Sequence, residues 1–195
     1  MTSHMLVTDT LPTGTVVDEF MACYDDFDQY PYRRMVPGSP HVDMTDIWMR
    51  YNDVAPYIEK GTFEGFGDEH DSIWYPIADK LPSAKAMAFA LMAAVDGERL
   101  GGILVTKLPP GGKILRHTDS GWHASYYDKF YVPITAPSES YMGFDDGGIF
   151  SQLGQAWWFD NSNEHWVENP SQEDRISMIV CIRTERFKHV NKRRI

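Results

Sequence analysis

The sequence has few cysteines and no long apolar run. Its two cysteines, Cys23 and Cys181, lie far apart and form no Cys-x-x-Cys pair, so neither a disulfide framework nor a thiolate zinc site has support. The longest uninterrupted apolar run covers residues 86–95. A run of that length is too short to cross a hydrocarbon layer of about 30 Å. We therefore expect no membrane partner.

Basic residues are also scarce. The chain has 28 acidic against 18 basic residues and a formal net charge of −10, which repels a phosphate backbone unless the basic residues gather on one face. A basic cluster occurs only in the C-terminal tail, residues 184–195, and comprises Lys188, Lys192, Arg193 and Arg194. We interpret this tail as a solvated segment and expect no nucleic-acid partner. Residues 1–5 lack the features of a secretory signal, so we expect a cytoplasmic location.

The remaining composition is that of one ordinary globular domain. The 195 residues are 43% apolar and 24% charged, and no repeat or low-complexity linker divides them. Residues 1–100 mix turn residues with helical stretches. Residues 16–24 predict a short amphipathic helix, residues 45–51 are helix-like, and residues 83–95 predict the clearest helix, with Ser83 as its N-cap.

Short β-type runs take over after residue 100. Eight runs separated by Pro, Gly and Asp turns cover residues 102–108, 113–118, 129–135, 141–144, 148–152, 156–159, 165–168 and 175–182. This spacing is typical of an antiparallel sandwich or barrel, most economically a jelly roll. We therefore predict a single, mainly β domain over residues 1–195, with its core at residues 102–183 and the N-terminal helices covering one outer face.

Two His-x-Asp pairs stand out as candidate metal ligands. Side chains two apart on a strand point the same way, so His117 and Asp119 can share one ion. His41 and Asp43 have the same spacing. They follow a Pro/Gly loop and precede the helix-like segment, so we assign them a loop and helix-capping role.

Polar residues in the last two β-runs complete the pattern. We expect the run beginning at His165 and the run beginning at Arg175 to pair as a hairpin across the turn at residues 169–174. If His165 faces inward, then Arg175, Ser177 and Ile179 face inward too. Two imidazoles and one carboxylate on one face of a metal leave positions open, as in non-haem Fe(II) oxygenases. An inward guanidinium is costly without a partner, and a ligand carboxylate suits its geometry.

These residues, in this order, resemble the Fe(II)/2-oxoglutarate-dependent oxygenases of the double-stranded β-helix (jelly-roll or cupin-like) fold. Within them, the stretch is similar to the aspartyl/asparaginyl β-hydroxylase-like family. The matching blocks are Gly-Gln-Ala-Trp-Trp-Phe-Asp-Asn at residues 154–161, His-Trp-Val-Glu-Asn at residues 165–169 and Asp-Arg-Ile-Ser at residues 174–177. The resemblance covers residues 102–183.

The resemblance implies an activity and a set of site residues. It implies that His117, Asp119 and His165 hold Fe(II), and that Arg175 and Ser177 bind the far carboxylate of 2-oxoglutarate. Several members of the family carry Arg-x-His on the strand after the first metal ligands, where this chain has Lys129 and Tyr131. If the comparison holds, these two face inward as further co-substrate contacts. The expected reaction uses O2 and hydroxylates an amino acid or peptidyl side chain, with release of succinate and CO2.

The substrate contacts are expected mainly from one loop. The candidates are Trp122, His123, Tyr126 and Tyr127 from the loop after the first ligands, and Asn161, which carries part of the family match. Two other classes stay open, a cupin-type metalloenzyme without 2-oxoglutarate and a non-enzymatic cupin-like binding module. The carboxylate at Asp119 and the Arg175–Ser177 pair argue against the first class. The second would be expected to have lost a metal ligand.

Overall fold

The protein, described by a computed structural model over residues 2–187, is built mainly from short antiparallel strands. The strands are β1 (His4–Thr8), β2 (Thr45–Tyr51), β3 (Ile73–Trp74), β4 (Gly97–Leu108), β5 (Lys113–His117), β6 (Asp128–Pro133), β7 (Tyr141–Phe144), β8 (Gly147–Phe150), β9 (Ala156–Phe159), β10 (His165–Glu168) and β11 (Arg175–Thr184). The α-helices are α1 (Gly14–Ala22), α2 (Tyr32–Met35), α3 (Ala55–Lys60), α4 (Pro82–Ala94) and α5 (Trp122–Tyr126). Two 3₁₀ turns cover Tyr24–Asp26 and Pro76–Lys80.

Two facing sheets form the framework. The larger sheet has the order β1-β9-β6-β11-β4-β2-β3, and the smaller has the order β5-β10-β7-β8. All of their strand pairs are antiparallel. This is the double-stranded β-helix that the sequence predicts. The basic residues at positions 188 and 192–194 lie outside the described residues.

One element of the N-terminal half differs from the sequence-based expectation. Residues 45–51 form strand β2, not a helix, and β2 pairs with β4 in the larger sheet. The physical reason is burial on both faces: Ile47, Trp48 and Met49 are consecutive and buried. A continuous apolar run of this length lacks the alternation that would identify a strand. The N-terminal half therefore contributes β1, β2 and β3 to the larger sheet as well as its helices.

The predicted hairpin between β10 and β11 is wrong. Strand β10 lies between β5 and β7 in the smaller sheet, whereas β11 lies between β4 and β6 in the larger one. The turn at residues 169–174 therefore crosses from one sheet to the other. Because side chains alternate along each strand, the inward residues of both strands still reach the space between the sheets.

Helices α1 and α4 cover the outer face of the larger sheet. Phe20 of α1 and Leu91 of α4 join the same buried cluster as Val105 and Val180 of the sheet. Helix α4 begins without the predicted side-chain cap from Ser83. None of the helices in the described part of the chain has the length and apolar character needed to span a bilayer.

The N-terminus of α4 is capped from another element. The Glu19 carboxylate on α1 accepts hydrogen bonds from the backbone N–H groups of Ser83 at 2.8 and 3.0 Å and of Ala84 at 3.1 Å. A carboxylate satisfies these otherwise unpaired donors and complements the positive end of the helix dipole. This contact joins α1 to α4 and takes the place of a local serine cap.

Candidate active site

A cavity of about 200 Å³ lies between the two sheets. Strands β2, β4, β6, β9 and β11 supply its wall from the larger sheet, and β5, β7 and β10 supply its wall from the smaller one. As alternation predicts, His165, Arg175, Ser177 and Ile179 all line it. The polar residues implied by the sequence are therefore distributed along one enclosed space.

The three candidate metal ligands meet on one side of this cavity. His117 ends β5 and pairs directly with His165, which begins β10. Asp119 follows two residues after His117, and its carboxylate lies 3.7 Å from Nε2 of His117 and 3.9 Å from Nε2 of His165. One ligand atom from each residue fits within 4.8 Å of the others. The structure thus brings together the three residues that the sequence singles out.

Backbone carbonyls fix the orientation of both imidazoles. Nδ1 of His117 donates to the Leu115 carbonyl at 2.7 Å, and Nδ1 of His165 donates to the Asn163 carbonyl at 2.9 Å. With the proton on Nδ1, each ring directs the lone pair of Nε2 toward Asp119. Burial lowers the pKa of both His117 and His165. Both are therefore held neutral, as ligation requires.

Asp119 is held as a carboxylate by its neighbours. Burial alone would raise the pKa of Asp119, but the Lys129 ammonium and the two imidazoles outweigh it and hold this pKa well below its usual range. Nζ of Lys129 donates to Oδ2 of Asp119 at 2.6 Å. Lys129 faces the cavity as expected, but its charge is directed at the carboxylate of Asp119, a candidate metal ligand.

A second polar group lies deeper in the cavity. Arg175 is 1% exposed, and its Nη1 donates to Oγ of Ser177 at 3.2 Å. Its Nε and Nη2 are buried and have no hydrogen-bond partner among the described residues. The guanidinium lies 5.0 Å from the ring centroid of Tyr131, whose hydroxyl pairs with Oγ of Ser151. Tyr131 therefore presents its ring rather than its hydroxyl to the guanidinium.

These donor sets fit the groups that the sequence implies. Two imidazole nitrogens and one carboxylate oxygen match the ligand set of non-haem Fe(II) sites. The unpaired Nε and Nη2 of Arg175 match a bidentate ligand carboxylate, which would remove the cost of burying an uncompensated charge.

Of the candidate substrate residues, His123 lines the cavity and Asn161 supports it from behind. The His123 ring lines it, is buried, and accepts a hydrogen bond from the Gly102 N–H at Nε2. Asn161 does not line the cavity. Its side-chain amide donates to the Ala124 carbonyl at 3.0 Å, so it supports the short helix that carries His123.

The three aromatic candidates lie off the cavity wall. Trp122, Tyr126 and Tyr127 are absent from its lining. The rings of Trp122 and Tyr126 stack on each other with centroids 4.8 Å apart, and the Arg183 guanidinium lies 4.3 Å from the Tyr126 ring. Tyr127 is buried against Gly101. These rings pack around α5 and hold it against the sheet.

Three cavity residues come from the N-terminal half and were not foreseen. Arg33, His41 and Tyr51 all line the cavity. His41 does lie in a loop, but the helix-capping role expected for it is wrong, because the segment that follows forms strand β2. Its ring packs 5.1 Å from that of His117. Asp43 does have a structural role in the loop, since its carboxylate accepts a hydrogen bond from the backbone N–H of Lys113.

No local signal in the sequence shows that the loop carrying His41 lies beside His117. The loop that carries His41 is joined to β5 by contacts that span about seventy residues of chain, including the Leu115 N–H to Pro40 carbonyl hydrogen bond of 2.9 Å. Only the sheet topology brings the two segments together.

The fold is shared with oxygenases of known structure. A prolyl hydroxylase from Trichoplax adhaerens, solved with a hypoxia-inducible factor oxygen degradation domain peptide fragment, is 12% identical, with a TM-score of 0.59 over 96% of this chain and 86% of that one. A 2OG-Fe(II) oxygenase family oxidoreductase from Burkholderia pseudomallei is 9% identical, with a TM-score of 0.55 over 93% and 84% of the two chains. At these identities the likeness shows the fold.

Sequence comparison adds the family. A search of curated proteins finds no match. The family model described as aspartyl/asparaginyl β-hydroxylase matches residues 78–185, more than half of the chain. The match includes the three candidate metal ligands, Arg175 and Ser177. The chain belongs to the aspartyl/asparaginyl β-hydroxylase family.

Proposed function

We propose that the protein is an Fe(II)- and 2-oxoglutarate-dependent dioxygenase that hydroxylates an amino acid or a peptidyl side chain. The observation that carries this proposal is the placement of two complementary sites in one cavity. The ligand atoms of His117, Asp119 and His165 lie within 4.8 Å of one another, and the guanidinium of Arg175, whose Nε and Nη2 have no partner among the described residues, lies in the same cavity. A 2-oxoglutarate molecule has one end that chelates a metal and one carboxylate that suits Arg175.

The polar residues of the site have distinct tasks in this reaction. When bound, Fe(II) with 2-oxoglutarate and O2 supplies the oxidising power that inserts one oxygen atom into a C–H bond and releases succinate and CO2. His117, Asp119 and His165 fix the position of the metal through rings and a carboxylate that are already oriented. Arg175 and Ser177 hold the far carboxylate of the co-substrate.

Apolar side chains complete the site. Ile114, Met142, Phe159 and Val167 line the cavity between the polar groups. They limit the entry of water, which strengthens the charge interactions within the cavity and protects reactive species from side reactions. The protein thus supplies geometry and exclusion of water, while the bound groups carry the oxidative step.

An anaerobic titration tests the proposal. Apoprotein is mixed with Fe(II) and then with 2-oxoglutarate, and the visible spectrum is followed for the weak charge-transfer band of the chelate. We expect a saturable band that requires both additions. Iron binding without a response to 2-oxoglutarate would favour a cupin-type metalloenzyme, and no iron binding would favour a non-enzymatic module.

Ligand variants test the metal assignment. We expect His117→Ala and His165→Ala to abolish the band and the production of succinate, since each removes one of only three protein ligands. Circular dichroism spectra should be unchanged, because a domain of this size does not need a metal to form its core. Full succinate production by either variant would contradict the iron site.

A further inference from the structure

We propose that Arg33 and Tyr51 bind a carboxylate group of the substrate, so that the enzyme acts on a carboxylate-bearing molecule. This inference rests on the proposed dioxygenase function and adds a substrate contact to it. Both residues lie in the N-terminal half, outside the stretch that matches the family model. Both line the cavity that holds the candidate metal ligands.

The Arg33 guanidinium is held in a fixed orientation. Its Nη1 donates to Oδ2 of Asp46 at 2.9 Å, and its Nη2 donates to Nε2 of His41 at 3.2 Å. Asp46 is itself buried, and its Oδ1 accepts from Nε1 of Trp48 at 3.0 Å. A side chain oriented in this way loses little conformational entropy when it binds a ligand.

Arg33 still has donors to offer. A guanidinium carries five N–H groups, and only the two contacts above and a 3.9 Å contact to the Met44 sulfur occupy them among the described residues. Its side chain is 23% exposed, in contrast to the buried Asp46 carboxylate behind it. The remaining N–H groups can therefore reach a ligand that enters the cavity.

Tyr51 supplies a second donor. Its hydroxyl makes no hydrogen bond within the described part of the chain, although the residue lines the cavity. The ring lies so close to Gly102 that a Cβ on that glycine would meet Cδ2 of Tyr51 at 2.8 Å. Burial raises the pKa of Tyr51 to about 12, so the phenol remains a neutral donor.

We assign this carboxylate position to the substrate and the position beside Arg175 to the co-substrate, because the two residues approach the cavity from different elements. Arg175 belongs to β11, whereas Arg33 is bound to Asp46 of β2, and β4 lies between these two strands. Neighbouring strands are about 4.8 Å apart, so the two backbone rows are about 10 Å apart. Arg33 reaches the metal ligands from its own side, through His41, whose ring packs on that of His117. One dicarboxylate held by Arg175 therefore leaves Arg33 available for another molecule.

The cavity volume limits the size of that molecule. About 200 Å³ is below the roughly 300–1,000 Å³ typical of ligand pockets. The carboxylate can belong to a free small acid, such as an amino acid, or to a carboxylate side chain inserted from a peptide. Arg33 would bind the same group, a carboxylate, whether it belongs to a free acid or to a peptide.

Paired substrates test the charge requirement in the wild-type enzyme. Loaded with Fe(II) and 2-oxoglutarate, it is assayed for succinate with each free L-amino acid, with the corresponding amino-acid amides, and with capped peptides containing Asp or Asn. We expect turnover of an acid and at least a tenfold lower kcat/KM for its neutral amide, or for Asn in place of Asp. Comparing the free amino acids with the capped peptides shows whether the carboxylate belongs to a free acid or to a peptide side chain.

Matched variants assign the requirement to Arg33. We expect Arg33→Met to raise the KM of the acid about 10- to 100-fold, the loss expected for a charge-assisted hydrogen bond. Arg33→Lys should recover part of this, and Tyr51→Phe should raise KM about tenfold. Arg34→Met is the control, since Arg34 pairs with Asp28 at the surface, and its KM should stay within twofold of wild type.

Several outcomes would overturn the inference. Equal use of acids and amides, or no response to any acid by an enzyme that forms the 2-oxoglutarate band, would exclude a carboxylate subsite. A rise in the half-saturating 2-oxoglutarate concentration in Arg33→Lys and Tyr51→Phe, with no change in substrate KM, would assign these residues to the co-substrate. Absence of the band in wild type would overturn the proposed function, and this inference with it.

Discussion

Three cationic side chains line the cavity, and they differ in how far their N–H groups are already paired. Lys129 donates to Asp119, Arg33 is held by Asp46 and His41, and Arg175 keeps two buried nitrogens unpaired. A buried charge without a counter-ion is expensive unless a ligand supplies one. Arg175 is therefore the cation of this cavity best suited to a tightly held co-substrate carboxylate.

This difference predicts that variants of Arg175 and Lys129 change the requirements for different components. Arg175→Met should raise the half-saturating 2-oxoglutarate concentration at least tenfold, because a hydrogen bond to a charged group contributes about 1.5–3 kcal/mol. Lys129→Met should mainly change the half-saturating Fe(II) concentration, since it removes the cation that contacts a metal ligand. Steady-state succinate assays with each component varied measure both. A larger 2-oxoglutarate defect in Lys129→Met than in Arg175→Met would reverse the assignment.

The buried His123 predicts a stability that depends on pH. Burial lowers the pKa of His123 to about 3, against about 6.5 in an unfolded chain. Between these values the unfolded chain binds a proton that the native protein does not. The free energy of unfolding should therefore fall as pH falls below about 6.5, by up to about 1.4 kcal/mol per pH unit from this residue.

Urea unfolding of metal-free protein at pH 7, 6 and 5 measures this effect. His123→Gln is the matched variant, because its side-chain carbonyl can accept the Gly102 N–H in place of Nε2. The difference between wild type and variant cancels the contributions of His117 and His165. Parallel loss of stability in both proteins would show that His123 does not carry the effect.

At the scale of elements, the sequence predicts most of the β-core, because short runs with turn residues between them mark strand ends directly. The prediction fails where the signal is not local. Strand β2 is buried on both faces and therefore lacks alternation, and the pairing of β10 with β5 and β7 depends on a crossover between sheets. The three candidate metal ligands could be singled out because two lie in one His-x-Asp pair and the third begins a recognisable strand. Arg33, His41 and Tyr51 could not, because only tertiary folding places them beside His117.

The cap on α4 predicts a contrast between two alanine variants. Glu19→Ala removes the acceptor of three N–H contacts at the start of α4, and should lower the free energy of unfolding by about 0.5–2 kcal/mol. Ser83→Ala should change it by less than about 0.5 kcal/mol, since its hydroxyl does not cap the helix. Chemical denaturation compares the two variants. A larger loss of unfolding free energy in Ser83→Ala than in Glu19→Ala would support the cap by Ser83 that the sequence predicted.

At the scale of the whole molecule, the two halves of the chain share one sheet and one core. Strand β1 pairs with β9, and β2 pairs with β4. Trp48 and Phe20 from the first half lie in the same buried cluster as residues of β4 and β11. The cavity is shared in the same way, because its proposed metal ligands come from the second half and its proposed carboxylate contacts from the first.

This shared architecture predicts that the stretch matching the family model does not fold by itself. A fragment of residues 78–195 would expose both edges that β1 and β2 cover and the apolar surface that packs on Phe20 and Trp48. Unpaired strand edges and a bare apolar face favour aggregation over folding. We expect the fragment to lack near-UV circular dichroism and a cooperative melting transition, whereas the full chain unfolds in a single transition. A fragment that melts cooperatively and binds Fe(II) would show instead that the second half is an independent domain.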